Sequence, residues 1–182
     1  MATLAELCIV ACSEAFRGNG EVIATGVGPV PRLAAGLAKL THSPGLMMTD
    51  GEAYLVEEPV PLGPRGDYRP KFAGHLPFSR FFDSAVWTGR RHAMVTPTQI
   101  DRFGQINLSQ LGGTDHAIRV ISLHPGVTFE QVQEATGFAL EQGDMAETPM
   151  PTAEQLQIIG SLDPHGIRAS VIKDNPPARG AA

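Results

Sequence analysis

The first fifty residues alternate helical and strand patterns, and this order restricts the fold more than any other feature of the chain. Apolar residues recur at helical spacing over residues 3–17, and a short apolar run follows at 21–25. A loop rich in glycine and proline then leads into a second helical pattern over 32–41 and a second apolar run at 46–49. Strands that alternate with helices are typical of α/β proteins. The sequence therefore predicts an α/β fold with a mostly parallel sheet flanked by helices.

The rest of the chain predicts short elements separated by turns. The predicted elements are helices over 78–87, 128–136 and 152–160, strands over 92–97 and 117–123, and a hairpin around 99–108. Thr128 and Gln131 have the spacing of a capping box at the start of one helix. Residues 50–75 combine proline, glycine and charges of both signs, and we expect a long ordered loop there. We expect one domain over 1–173 and a flexible tail over 174–182.

Charge and hydropathy argue against several classes of partner. The 14 basic and 19 acidic residues give a net charge of −5, which does not favour nucleic acid. No apolar run approaches the ~18 residues that a membrane span needs, and the N-terminus lacks the basic lead of a signal peptide. Cys8 and Cys12 lie four residues apart in one predicted helix, which suggests packed thiols rather than a disulfide framework. We therefore expect a cytoplasmic protein that binds neither nucleic acid nor membrane.

Two glycines, Gly26 and Gly28, lie between the first predicted strand and the helix that follows it. Such a turn lets a ligand approach the backbone and directs helix N–H groups at an anion. Pro29 and Pro31 remove two of those donors, and no third glycine follows at the spacing of a dinucleotide-binding loop, so that loop is not predicted. Two interpretations stay open: a ligand-binding turn, or a tight connection between strand and helix.

Two carboxylates, Asp50 and Glu52, follow the second predicted strand, at the edge where open α/β sheets bind ligands. Paired carboxylates there suit acid–base chemistry if burial tunes them, and the alternative is a solvated acidic turn. Arg90 begins a basic cluster of three residues, which either binds a phosphate or carboxylate or caps neighbouring carbonyl groups. The histidines have no metal-like spacing, so no metal site is predicted.

Several strings, spread over nearly the whole chain, resemble the β subunits of family I coenzyme A transferases. These strings are Gly26–Pro29, Leu40–Pro44, Thr49–Ala53, Gln99–Asn107, His124–Thr128 and Ala135–Phe138. Further strings resemble, more particularly, the β subunits of the steroid ring-opening acyl-CoA hydrolases of actinobacteria. They lie at 49–53, 76–81, 89–92 and 112–116. Each string alone is a weak signal, and their combination is specific.

The resemblance implies a coenzyme A transferase-like fold, a coenzyme A thioester as substrate, an α subunit as partner, and no metal or further cofactor. The implied reaction is hydrolysis of a C–C bond in a cyclic oxo acyl-CoA of steroid breakdown. The implied site residues are Asp50 and Glu52 for catalysis, and Gly26, Gly28, Arg90, Gln99 and Asn107 for binding the substrate. Two alternatives stay open: the β subunit of a 3-oxoacid-type coenzyme A transferase, and a non-catalytic scaffold subunit that completes the partner's site.

Two departures from the family pattern bear on these alternatives. The transferases carry a catalytic glutamate just before a short Asn-Gly or Ser-Gly pair, and aligning Gly51 with that glycine puts Thr49 at the glutamate position. Threonine cannot form the acyl-anhydride intermediate, so the hydrolase is favoured, with the working carboxylate on the α subunit. A long internal stretch with a Gly-rich loop is also missing after Gln110. Either the sequence omits a segment of the natural protein, or this variant has lost it.

Overall fold

The computed structural model describes residues 2–50, 54–97, 100–102 and 118–178. These residues form two compact units. The first, the five-stranded unit, comprises Met1–Thr96 and Pro151–Pro177, and the second, the two-stranded unit, comprises Pro97–Met150 and Ala178–Ala182.

The C-terminal segment of the five-stranded unit hydrogen-bonds to its N-terminus. The carbonyl of Pro176 accepts from the N–H of Leu4 at 2.8 Å, and Oδ1 of Asn175 accepts from the N–H of Ala5 at 3.0 Å. The extent predicted for a single domain and for a flexible tail from residue 174 stays a prediction.

A mixed sheet forms the centre of the five-stranded unit. Its strands are β1 (Ile23–Val27), β2 (Met47–Asp50), β3 (Tyr54–Val56), β4 (Phe72–His75) and β5 (Arg91–Val95), in the spatial order β4-β3-β2-β1-β5. β1 is parallel to both β2 and β5, whereas β3 and β4 extend the sheet as antiparallel strands. The α/β class is therefore confirmed, with the parallel part confined to β2, β1 and β5. The sequence does not predict β3 and β4, because a period of two cannot be recognised over three or four residues.

Helices pack on both faces of this sheet. The described α-helices are α1 (Leu4–Glu14), α2 (Pro29–Leu40), α3 (Phe78–Phe81), α4 (Phe129–Glu134) and α5 (Ala153–Leu162), of which α4 belongs to the two-stranded unit. On one face, Leu33 of α2 and Ile159 of α5 share a buried cluster with Ala24 of β1. On the other face, Phe81 at the end of α3 packs with Ile23 of β1. Successive residues of a strand point to opposite faces, so the two clusters lie on opposite sides of the sheet.

Three of these helices begin with a capping box, at Thr3, Thr128 and Thr152. In each box the threonine hydroxyl accepts a hydrogen bond from the backbone N–H three residues on, and the side chain there accepts from the threonine N–H. The box predicted from Thr128 and Gln131 is confirmed. Over the part of the chain that the structure describes, no helix is long and apolar enough to cross a bilayer.

The two-stranded unit contains a parallel pair of strands, β6 (Arg119–Leu123) and β7 (Glu141–Glu147), with α4 between them in the chain. β6 confirms the strand predicted over 117–123. The sequence does not predict β7, because its residues, Glu-Gln-Gly-Asp-Met-Ala-Glu, include none of the β-branched or aromatic types that favour strands. β7 is a strand because its backbone pairs with β6. The hairpin predicted around 99–108 lies almost entirely outside the described residues.

Candidate functional site

The carboxyl ends of β2, β1 and β5 lie along one edge of the five-stranded sheet, called the carboxyl edge below. Ala24 of β1 is level with Met48 of β2, and two residues further along these strands come Gly26 and Asp50. Open α/β sheets bind ligands at this edge. The structure therefore brings three of the predicted site residues, Asp50, Gly26 and Gly28, to the carboxyl edge.

Both glycines are required by close packing at the carboxyl edge. A Cβ at Gly26 would lie 2.6 Å from the backbone nitrogen of Arg32 and 2.7 Å from the carbonyl carbon of Pro31. β1 and α2 therefore approach too closely for any side chain there. Gly28 precedes α2 with a φ of +106°, and a Cβ there would lie 3.1 Å from Oγ1 of Thr96. These contacts explain why both positions are glycine, and binding of a ligand at this turn stays a prediction.

Asp50 is held by an arginine that no sequence motif marks. Nη1 of Arg65 donates to Oδ2 of Asp50 at 2.8 Å, and Nη2 donates to Oδ1, so the guanidinium engages both carboxylate oxygens. The Asp50 side chain is only 11% exposed, whereas that of Arg65 is 45% exposed. Arg65 belongs to the segment 57–71 between β3 and β4, and no spacing rule links it to Asp50. A charge-assisted bidentate pair of this kind fixes the orientation of the carboxylate.

Arg65 also lines a pocket of about 260 Å³. Leu62 and Tyr68 line it from the same segment, and Pro164 and His165 line it from the turn after α5. Since Arg65 contacts Asp50 and lines this pocket, the pocket adjoins the carboxyl edge.

Arg90 lies at the other edge of the sheet, where β1 and β5 begin. Its carbonyl oxygen accepts a hydrogen bond from the N–H of Ile23 at 2.8 Å. The structure therefore does not bring Arg90 together with Asp50. The next residue, Arg91, donates from Nε to Oγ1 of Thr25 at 3.1 Å, so one member of the basic cluster ties β5 to β1.

Three predicted site residues, Glu52, Gln99 and Asn107, lie outside the described residues, and their roles stay predictions. In the chain, Glu52 follows β2 and Gln99 follows β5, and these strands flank β1 in the sheet.

The two cysteines of α1 are partly buried thiols that pack within the fold. Cys8 and Cys12 form no disulfide, and burial raises the pKa of both. A raised pKa is typical of packed cysteines rather than of nucleophiles. Within residues 2–50, 54–97, 100–102 and 118–178, no three His, Cys, Asp or Glu side chains are grouped to hold a metal ion.

Comparison of the sequence with known proteins finds relatives that span nearly the whole chain. It is 29% identical to the cholesterol ring-cleaving hydrolase IpdB subunit of Mycobacterium tuberculosis, over 95% of this chain and 100% of the relative. It is also 29% identical to the IpdB subunit of Rhodococcus jostii, over 91% and 94%. The identity to one subunit of the 3-oxoadipate CoA-transferase of Pseudomonas knackmussii is 24%, over 87% and 92%. A scan against protein-family models found no match.

Solved structures show the same fold. The crystal structure of Rhodococcus jostii IpdAB matches 92% of this chain and 97% of its own, with a TM-score of 0.79 and 28% identity. Glutaconate coenzyme A-transferase from Acidaminococcus fermentans matches with a TM-score of 0.69 and 16% identity, which concerns the fold alone. The chain therefore has a coenzyme A transferase-like α/β fold. Its relatives include the IpdB subunits of cholesterol ring-cleaving hydrolases, and the resemblance predicted from the sequence is confirmed.

These relatives contain residues that have no counterpart in this chain. The alignment with the Mycobacterium tuberculosis subunit runs over 251 residues, whereas the chain has 182, so at least 69 aligned positions have no counterpart here. The predicted place of the missing stretch, after Gln110, lies outside the described residues and stays a prediction.

Proposed function

We propose that this chain is the β subunit of a two-subunit acyl-CoA hydrolase that opens a carbon ring by C–C hydrolysis in steroid breakdown. The observation that carries the proposal is the 29% identity to IpdB subunits over almost the whole chain, together with the IpdAB fold. Threonine at position 49, where the transferases carry their nucleophile, supports the hydrolase over the transferase. The compartment that we propose is the cytoplasm, and the reaction needs no cofactor beyond the coenzyme A thioester.

The proposed reaction begins with a water molecule activated by a carboxylate of the α subunit. The water oxygen adds to the ring ketone, the C–C bond breaks, and its electron pair moves to the carbon next to the thioester. The resulting enolate takes up a proton, and the former ketone carbon becomes a carboxylate. Stabilising the enolate is the difficult step, and oriented N–H donors are what a protein supplies there. Because Asp50 orients Arg65 and the guanidinium keeps further N–H groups, Arg65 can donate to oxygens of the reacting acyl group at the carboxyl edge.

An exposed aromatic face supports the proposed α-subunit partner. Phe78, Phe82 and Trp87 are exposed on the helical segment 78–87, and Trp87 is 76% exposed. Clustered exposed aromatic side chains mark interaction surfaces, and aromatic residues are enriched at interface cores. The solved relative IpdAB is named for two subunits. We propose that the α subunit covers this aromatic face.

The first experiment measures turnover of a cyclic 3-oxo acyl-CoA by the chain co-expressed with the α subunit of its own organism. We expect Asp50→Asn to lower kcat about 100-fold, as for the loss of one preorganised electrostatic contact. The matched control is Asp67→Asn, which changes an exposed aspartate in the segment 57–71, two residues from Arg65, and should leave kcat unchanged. Wild-type rates in Asp50→Asn, with assembly intact, would favour the scaffold alternative.

The transferase alternative makes a different chemical prediction. Its observation is the 24% identity to a 3-oxoadipate CoA-transferase subunit. A transferase forms an acyl-enzyme, which hydroxylamine traps on a glutamate. We expect mass spectrometry of the thioester-treated complex to find no hydroxamate on this chain, and a modified carboxylate here would contradict the hydrolase.

Removing the aromatic face should change association rather than folding. We expect Trp87→Ser with Phe78→Ser to weaken binding to the α subunit at least about tenfold, because buried aromatic residues contribute much of an interface's energy. Sedimentation measures the association, and Tyr54→Ser, an exposed aromatic on β3, is the control. We also expect the wild-type chain to be poorly soluble when expressed alone, because its aromatic face is then exposed. A monodisperse monomer in light scattering would contradict the proposal that the α subunit covers this face.

A further inference from the structure

The pocket beside Arg65 is apolar over most of its wall. Three prolines, at 61, 64 and 164, line it together with Leu62 and the ring of Tyr68. Small-molecule sites combine such apolar walls with a few placed polar groups. This pocket therefore suits a hydrocarbon ring.

One wall of the pocket is rigid before any ligand binds. The turn after α5 is held by the buried carboxylate of Asp163, which accepts the N–H of Ile167 at 2.8 Å and that of Arg168 at 2.9 Å. The N–H of Leu62 donates to the carbonyl of Leu162 at 2.8 Å, which ties the opposite wall to the same helix. Binding a ligand to preformed walls costs little ordering entropy.

The two walls also meet closely beside the pocket. A Cβ at Gly63 would lie 2.6 Å from Cδ2 of His165, so the segment 57–71 is seated directly on the turn after α5. Gly63 has a φ of +93°, which glycine adopts without strain.

The pocket lining also includes polar side chains, and one of them, Arg65, connects the pocket to Asp50 at the carboxyl edge. Arg65 uses Nη1 and Nη2 on Asp50, and its guanidinium has five N–H groups in total, so donors remain for a ligand oxygen. His165 adds a second polar side chain to the lining. A ligand in the pocket thus lies within one side-chain length of Asp50.

The size of the pocket selects among the parts of a coenzyme A thioester. Its volume of about 260 Å³ exceeds the ~150 Å³ in which an apolar cavity holds a benzene-sized ring. It lies just below the ~300–1,000 Å³ of sites for drug-sized ligands, so a single ring matches its volume better than the larger adenosine diphosphate end.

From these observations we propose that the pocket bounded by Leu62, Tyr68, Pro164 and His165 holds the alicyclic ring of the acyl group, with Arg65 donating to the ring's oxo oxygen. The proposal rests on the proposed function and deepens it, because it makes this pocket the determinant of acyl size. In this proposal Tyr68 packs against the ring. The segment 57–71 thus contains both Tyr68, which contacts the ring, and Arg65, which hydrogen-bonds to Asp50.

The test compares two thioesters that share coenzyme A and differ in the acyl group. Cyclohexanecarbonyl-CoA carries a ring but no oxo group to cleave, and acetyl-CoA carries no ring. Their dissociation constants are measured by calorimetry on the complex with the α subunit. In Tyr68→Ala we expect the preference for the cyclohexane thioester over acetyl-CoA to fall about tenfold. Tyr54→Ala, the same change at the chain's other tyrosine, should keep the wild-type preference.

A second measurement reports the pocket directly and does not depend on a variant. With carbon-13 tyrosine in this chain alone, we expect the Tyr68 ring signals to shift on adding cyclohexanecarbonyl-CoA and to stay in place with acetyl-CoA or coenzyme A. An equal shift with coenzyme A would assign the pocket to the nucleotide end and overturn the proposal. No shift, with an unchanged preference in Tyr68→Ala, would overturn it as well.

The outcomes also separate this proposal from the proposed function. Ring opening by the complex with no effect at Tyr68 would contradict only the pocket. Absence of both thioester binding and turnover in the wild-type complex would contradict the function and the pocket together.

Discussion

Replacing Asp163 by alanine is expected to destabilise the five-stranded unit by about 3 kcal/mol. Its carboxylate is buried and accepts two backbone N–H groups, and Nη1 of Arg168 donates to it at 3.0 Å. Arg168 also donates from Nε to Glu6 of α1 at 3.1 Å. Removing Asp163 leaves the partly buried N–H groups of Ile167 and Arg168 without their acceptor, and leaves the Arg168 guanidinium with Glu6 as its remaining carboxylate partner. Urea unfolding at pH 7 measures the loss.

The same carboxylate predicts a loss of stability in acid. Burial by itself raises the pKa of Asp163, but hydrogen bonds from Arg168 and Ile167 outweigh it, and the net pKa lies below the usual value. A carboxyl whose folded pKa is depressed stabilises the fold above its unfolded pKa, and this contribution is lost as the pH falls through the folded value. We therefore expect the wild type to lose stability below about pH 4 more steeply than Asp163→Asn.

A surface ion pair provides the control for the destabilisation expected in Asp163→Ala. Glu141 of β7 pairs with Arg119 of β6 at 3.1 Å, and both side chains are more than half exposed. Exposed pairs contribute about 0–1 kcal/mol, so Glu141→Gln should change stability little. If Asp163→Ala lost no more than Glu141→Gln, the turn after α5 would not depend on its buried carboxylate.

Replacing Gly26 by valine is expected to cost about 3 kcal/mol or to prevent folding of the five-stranded unit. The atoms that a Cβ would meet belong to the backbone of Pro31 and Arg32, at 2.6–2.7 Å. Backbone cannot rotate away as a flexible side chain can, so β1 and α2 would have to separate. Leu33 and Leu37 of α2 are fully buried against the sheet, and that separation would open the core.

A second glycine gives a control of opposite sign. Gly160 lies inside α5, and a Cβ there meets nothing within 4 Å. Gly160→Ala should therefore raise stability by up to about 1 kcal/mol, because alanine favours the helix. Thermal unfolding of both variants tests the pair of predictions. Equal stability of Gly26→Val and wild type would show that β1 and α2 can move apart at little cost.

Elements with a long or specific local pattern were predictable. α1, α2 and α5 repeat apolar residues at helical spacing, and Thr128 with Gln131 has the spacing of a capping box. The Gly26–Gly28 turn could be located in the chain, but its two interpretations could not be separated. The distance from Gly26 to the backbone of Arg32 explains why a glycine stands there, and that distance depends on how α2 packs against β1.

The sequence could predict only those parts of the site that lie at the ends of recognisable strands. Asp50 follows a recognisable strand, so its place at the carboxyl edge could be inferred. Arg65 could not be paired with it, because the segment 57–71 has no periodicity and its path depends on β3 and β4. Arg90 was a candidate for substrate binding through the family resemblance, although it precedes the strand predicted over 92–97. The structure places it where β5 begins, at the opposite end of the strands from Asp50.

Local pattern and the spread of family-like strings were enough to determine the α/β class, the coenzyme A transferase-like fold and the position of Asp50 at the carboxyl end of a strand. Tertiary structure alone decided which groups meet: Arg65 with Asp50, the turn after α5 with the segment 57–71, and the backbones of β1 and α2 at Gly26. The physical reason is the sequence separation over which each kind of interaction acts. Periodicity and caps act over a few residues, whereas these contacts join distant segments whose approach is set by the packing of the whole core.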